Sequence, residues 1–288
     1  MFRLLRSEVY RLRRRFMPWV LLLLIVVAGV GFYVVVYASL QAQVEAMRSG
    51  AIPSQPGAEE AMRETLEAMR PDRVQSFGVQ IVSGLGSVML IVFAASHVGT
   101  EFAWGTLRTL LAHGAGRTTF LGAKLLSTTL FAALFMFVGI VAAILGSYVV
   151  QAIAAGDTRG VDLGAVANSA GRAYYTFLPY MALASLIALW ARSAGAGIAA
   201  GLVVLLTEGL VAQLLVSLNT DYAKIVNYGL SRNTSALTRV VTTTSATPEP
   251  GFSTLPDQGQ AAIVLAIYTV VFLALAFWRL RTRDITLG

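Results

Sequence analysis

Apolar residues run almost without interruption through six stretches of the chain, about Phe16 to Leu40, Ser76 to Val98, Thr119 to Val150, Arg172 to Trp190, Ala196 to Leu218 and Gln260 to Trp278. Each covers the ~20 residues that a helix rising ~1.5 Å per residue needs to cross a ~30 Å hydrocarbon core. Continuous rather than alternating hydrophobicity predicts helices, which satisfy their own backbone polar groups in lipid. The first and third stretches are long enough to tilt or to extend beyond the bilayer.

Polar positions divide the rest. Before the first stretch, Leu5, Val9, Leu12 and Phe16 recur on one helical face, with Arg3, Arg6, Tyr10, Arg13 and Arg14 opposite. This predicts a basic amphipathic helix over residues 1–15, suited to the headgroup region. The apolar run that follows is too long for the core of a cleavable signal, so a retained span is expected. Between the second and third stretches, Ala103, Trp104, Leu107, Leu110 and Leu111 share a stripe from which Glu101, Arg108 and Thr109 are excluded. The spacing predicts a short amphipathic helix in the 99–118 segment, ended by Gly114 and Gly116 and followed by a span capped by Thr118 or Thr119. Lys124, one turn into that span, is expected to snorkel back to the interface. The 219–259 segment is expected to carry a short helix around Tyr222 to Leu230 and has a Ser/Thr/Pro-rich part. A charged helical stretch over Ala58 to Met69 reads as a solvated face.

Composition agrees with a membrane reading. Of 288 residues, 56% are hydrophobic and only 13% charged, too few to cover a soluble domain of this size. The net charge of +7 does not indicate nucleic acid, because the basic residues flank apolar runs instead of forming one soluble face. With an internal N-terminus, the inner side receives Arg3, Arg6, Arg11, Arg13 to Arg15, Arg108, Arg117, Lys124, Arg192, Arg279, Arg281 and Arg283 against Glu8, Glu101 and Asp284. The opposite segments are richer in acids. Both termini are therefore expected in the cytoplasm, with Trp19, Trp190 and Trp278 forming an inner aromatic belt.

Glu101, then Gly105-Thr106-Leu107-Arg108-Thr109-Leu110-Leu111-Ala112, Arg117, Phe120-Leu121 and Lys124 stand in the order and spacing of the first cytoplasmic loop of ABC-2-type ABC transporter permeases, which the chain resembles. The Arg281-x-Arg283-Asp284-Ile285 ending is also similar to that family's. Ala115-Gly116 departs from it, since a serine is common before Arg117. The resemblance implies one all-α transmembrane domain over 1–288, with an elbow helix at the inner surface and a coupling helix between spans two and three. It implies that Glu101, Trp104, Gly105, Thr106, Arg108 and Arg117 contact or position a separate ATP-binding subunit. That subunit would hold ATP and Mg, because this chain has no P-loop and is expected to bind no cofactor or metal and to catalyse nothing. A second permease chain, identical or paralogous, is implied, in the inner membrane of a prokaryote.

Glu208 lies near the middle of the fifth span, where a lone charge costs ~2.5–3.5 kcal/mol on insertion scales. It reads either as part of a substrate route or gate, or as a packing carboxyl, with Gln80, Ser83, Ser87, Ser127 or Thr128 as side-chain partners. Gln80, Ser83, Ser87, Leu205, Glu208 and Gln213 are the candidate pathway residues, suited to an amphipathic or lipid-like cargo. Gly197-x-x-x-Gly201 permits close helix approach. Two other function classes compete with an exporter: an ABC assembly that transmits force to an external partner protein without passing a substrate, and a carrier or membrane enzyme. The last is disfavoured by having only His97 and His113, no Cys and no metal-spaced cluster.

Overall fold

The computed structural model describes residues 2–51, 57–103, 116–154, 160–238 and 255–282. Among them every regular element is helical. The elements are α1 (Phe2–Arg14), α2 (Phe16–Arg48), α3 (Ala58–Ala68), a 3-10 turn (Pro71–Arg73), α4 (Phe77–Ala103), α5 (Arg117–Ile153), α6 (Leu163–Ala191), α7 (Ala194–Leu218), a 3-10 turn (Thr220–Tyr222), α8 (Ala223–Val226), α9 (Leu230–Thr238) and α10 (Gln258–Thr282). Six of these, α2, α4, α5, α6, α7 and α10, are long and apolar enough to cross a membrane. All six expected spans are therefore helices. Four exceed their apolar runs by a turn or more at one end: α2 continues to Arg48, α4 to Ala103 and α10 to Thr282, and α6 begins at Leu163.

The chain falls into two compact units. One comprises Val20–Gly86 and Leu134–Gly171. Here the first, second and third spans pack through small residues: a Cβ on Gly146 would stand 3.1 Å from the backbone of Val30 and 3.2 Å from the Gly29 carbonyl. With no hydrophobic drive between helices in lipid, such close backbone approach supplies the van der Waals contact. Tyr33 is fully buried beside them and meets Phe77 edge-on at 5.4 Å. The charged helix α3 is not simply a solvated face, because Met62 and Met69 are buried and Ser147 Oγ donates to the Met69 carbonyl at 2.9 Å. Its remaining face carries the charges.

The other unit comprises Met1–Trp19, Ser87–Ala133 and Arg172–Gly288. Its core joins Ile91, Ala95 and Val98 of α4, Leu121 of α5, Tyr180, Ala184 and Ala188 of α6, Leu230 and Leu237 of α9, and Leu265 and Ala276 of α10. Only Arg192 and Ser193 separate α6 from α7. Arg192 takes a left-handed φ of 53°, and Ser193 caps α7 by accepting from the Ala196 amide. Gly197 then packs within the chain: a Cβ there would lie 2.6 Å from the Ala184 carbonyl and 2.9 Å from Ala95. Away from the core, Val203, Leu206, Leu210 and Leu214 of α7 and Ile263, Ile267 and Val270 of α10 remain exposed, as hydrocarbon-facing side chains would.

Pro18 explains why α1 and α2 are separate helices. Lacking an N–H, it cannot bond the Arg14 carbonyl, and it sits in the first turn of α2, where no such bond is required. Trp19 Nε1 donates instead to the Arg13 carbonyl at 3.0 Å.

Candidate functional site

The residues that bracket the amphipathic insert form a buried charged cluster. Lys124, on α5, and Glu101, on α4, are each 1% exposed, and Lys124 Nζ donates to Glu101 Oε1 at 2.7 Å. Lys124 also donates to Glu8 Oε2 of α1 at 3.3 Å. Arg15, in the joint between α1 and α2, reaches Glu101 Oε1 at 3.3 Å and Thr100 Oγ1 at 3.4 Å, and Arg11 reaches Glu8 Oε1 at 3.3 Å. Lys124 does not snorkel outward, because two carboxylates lie within reach inside and the Phe120 ring centroid stands 5.3 Å from Nζ.

His97 extends the cluster. Its Nε2 lies 3.0 Å from Ser127 Oγ and 3.7 Å from Glu8 Oε2. The Ser127 hydroxyl proton is committed to the Lys124 carbonyl at 2.8 Å, so its oxygen accepts from His97 Nε2–H. The imidazole stacks on Phe93 at 5.4 Å. Three elements, α1, α4 and α5, are thus joined by charge in a setting where each unmade bond would be expensive.

The N-terminal helix therefore seats differently from its apolar pattern. Leu12 is buried, but Val9 is 39% and Phe16 82% exposed, while Glu8 occupies the inward position. An exposed Val or Phe carries little penalty beside lipid, whereas Glu8 inward meets Lys124.

Both roots of the insert are also braced. A Cβ on Gly99 would run into the backbone of Ala194, so α4 lies directly against the α6–α7 turn. Arg117 Nη1 donates to the Arg281 carbonyl at 3.3 Å, and the Arg279 guanidinium stacks over Trp190 at 5.3 Å. Trp104, Gly105, Thr106 and Arg108 lie outside the described residues. Of the expected coupling residues, Glu101 is internal and positions the root, whereas Arg117 is half-buried at the start of α5.

Glu208 has partners that the spans alone do not suggest. Its carboxylate takes hydrogen bonds from the backbone amides of Leu230 and Ser231, the first turn of α9. Gly229 stands against it, with a Cβ there placed 2.5 Å from Glu208 Oε1. Ser127 and Thr128 serve His97 and the Lys124 carbonyl instead. Ten residues separate Glu208 from the end of α7, about 15 Å of helix. Tyr268, equally deep in α10, donates to the Tyr228 carbonyl at 3.2 Å. The 219–238 segment is thus a re-entrant excursion, and a carboxylate satisfies helix-start amides that lipid could not. Its helices lie at Ala223–Val226 and Leu230–Thr238, the second beyond the expected position.

The other candidate pathway residues are scattered. Ser87 is buried, Leu205 half-buried and Gln213 exposed in the same unit as Glu208; Gln80 is exposed and Ser83 half-buried in the other. Asn233 heads an Asn-Thr-Ser sequon, yet it is fully buried and its Nδ2 donates to the Asn227 and Gly229 carbonyls at 2.9 and 2.6 Å, the role that accounts for it.

Six helices long and apolar enough to cross a membrane, with Glu208 as a mid-span carboxylate in addition to one buried charged cluster, define an all-α, multi-pass membrane protein. The chain belongs to DUF2705, a family of proteins of unknown function, whose profile matches residues 62–286. No curated protein matches the chain.

Proposed function

We propose that this chain is the membrane-spanning subunit of an ATP-driven exporter of the ABC-2 type, powered by a separate ATP-binding subunit that docks on the insert between α4 and α5. One observation carries the reading: the helices flanking the insert are fastened at its roots, through Glu101 and Lys124, to the N-terminal helix at Glu8 and to the α1–α2 joint at Arg15. A docked subunit that pushed the insert would move α1, α4 and α5 together, because buried ion pairs resist separate sliding. The charge asymmetry of the loops supports an inner-membrane location with both termini in the cytoplasm. A second permease chain completes the assembly, and an amphipathic cargo is the substrate class.

Single cysteines between Trp104 and Arg117, placed in a chain that has no native cysteine, test the docking directly. They are expected to crosslink to an ATPase co-purified from native membranes, and Arg108→Glu is expected to uncouple ATP hydrolysis from transport. An assembled, hydrolysing complex without crosslinks here, and with Arg108→Glu fully coupled, would overturn the assignment.

A further inference from the structure

A cavity of about 380 Å³ opens where α1 meets α2, beside α4. Leu12, Phe16, Met17 and Phe93 give it apolar walls, and Arg15 and Thr100 bring polarity to one part. Its volume falls within the range of ~300–1,000 Å³ usual for small-molecule sites. It lies at the first residue of the first span, hence at headgroup level, where Phe16 and Trp19 are 82% and 56% exposed. The ion pairs of the adjoining cluster join three cations, Arg11, Arg15 and Lys124, to two carboxylates, Glu8 and Glu101. Arg13 and Arg14 are exposed on the same helix end.

We propose that this cavity is a binding site for an anionic membrane phospholipid, with its phosphate at Arg15 and the upper part of one acyl chain along Phe16, Met17 and Phe93. The charge balance selects the anionic headgroup. Arg15 is held by Glu101 and Thr100, so its guanidinium is oriented before any lipid arrives. The apolar walls select a chain-bearing molecule over free phosphate. The lipid would wedge the elbow between α1 and α2 and so stiffen the mount of the charged cluster, whether or not the chain works with an ATPase.

The test uses the full-length protein in nanodiscs of equal parts phosphatidylglycerol and phosphatidylcholine, gently released for native mass spectrometry. Retained phosphatidylglycerol should exceed phosphatidylcholine by about tenfold, roughly 1.4 kcal/mol, because both lipids offer a phosphate but the choline ammonium is repelled by the neighbouring arginines, and excess inorganic phosphate should not displace it. A photoactivatable phosphatidylglycerol should label peptides carrying Met17 or Phe93. Ser96→Phe and Met17→Trp, which fill the cavity from different walls, should abolish retention while the thermal transition stays in place. Equal retention of both lipids, labelling confined to other helices, displacement by phosphate, or full retention in folded filler variants would each overturn the proposal.

Discussion

Lys124 and Glu101 stand 23 positions apart across the insert, yet their charged atoms meet at 2.7 Å with almost no solvent access. Removing one member of a buried pair leaves the other unpaired, at a cost of about 3–5 kcal/mol. Lys124→Met should therefore lower the thermal transition markedly in detergent. Adding Glu8→Gln to that variant should recover part of the loss, since the remaining carboxylate retains Arg15. Wild-type melting of Lys124→Met would show that the pair contributes nothing.

Gly229→Ala and Gly209→Ala form a matched test of the re-entrant segment. A Cβ at Gly229 meets Glu208 Oε1 at 2.5 Å, whereas one at Gly209 meets nothing within 4 Å. The first change should destabilise by about 1–3 kcal/mol through overpacking, and the second should be neutral or stabilising by up to ~1 kcal/mol from helix propensity. Equal melting shifts for the two variants would contradict the close approach.

Gly197→Val bears on how the fifth span is used. Its side chain would press on the Ala184 carbonyl and on Ala188 and Ala95 of the same chain. The variant should misfold as a single chain, with lost expression and monodispersity, rather than simply dissociate from another copy. A well-folded monomer would mean that the small-residue pair serves a seam between chains.

The six spans were legible because hydrocarbon imposes a length and composition that a 20-residue window detects. The charged cluster was not. Lys124 looked like an interfacial lysine and Glu8 like one acid among arginines, because sequence distance hides that residues 8, 101 and 124 converge. The Glu8–Leu12 spacing, which puts a carboxylate on the buried face of α1, was the available clue. Glu208 was recognisable as anomalous from depth alone. Its partners were not, because they are backbone amides of a segment whose return into the bundle leaves no strong hydrophobic run. Asn233 gave a hint, since a sequon cannot distinguish a solvent-facing amide from one that ties down its own turn.

Topology follows from the loop charges and can be measured by cysteine labelling. Positions near Glu60 should react with an impermeant reagent from outside intact cells, and positions near Arg279 only after permeabilisation. Labelling of Glu60-region cysteines solely from within would invert the chain and leave the insert facing away from any cytoplasmic ATPase.

Glu208 offers the sharpest separation between a structural and a transport role. As a cap it needs oxygen acceptors, not charge as such: two backbone amides at the start of α9 point at it, and the helix dipole favours electron density there. Glu208→Gln keeps one carbonyl oxygen and should retain most of the packing of 219–238. Glu208→Leu is close in size but leaves the Leu230 and Ser231 amides without an acceptor at a depth where water is scarce, at a cost of about 1–3 kcal/mol per group. Hydrogen exchange over residues 228–236 should therefore accelerate in the Leu variant and change little in the Gln variant. If both variants keep wild-type protection there, the carboxylate is not what holds the re-entrant helix. Unchanged protection combined with lost transport would instead assign Glu208 to the substrate route.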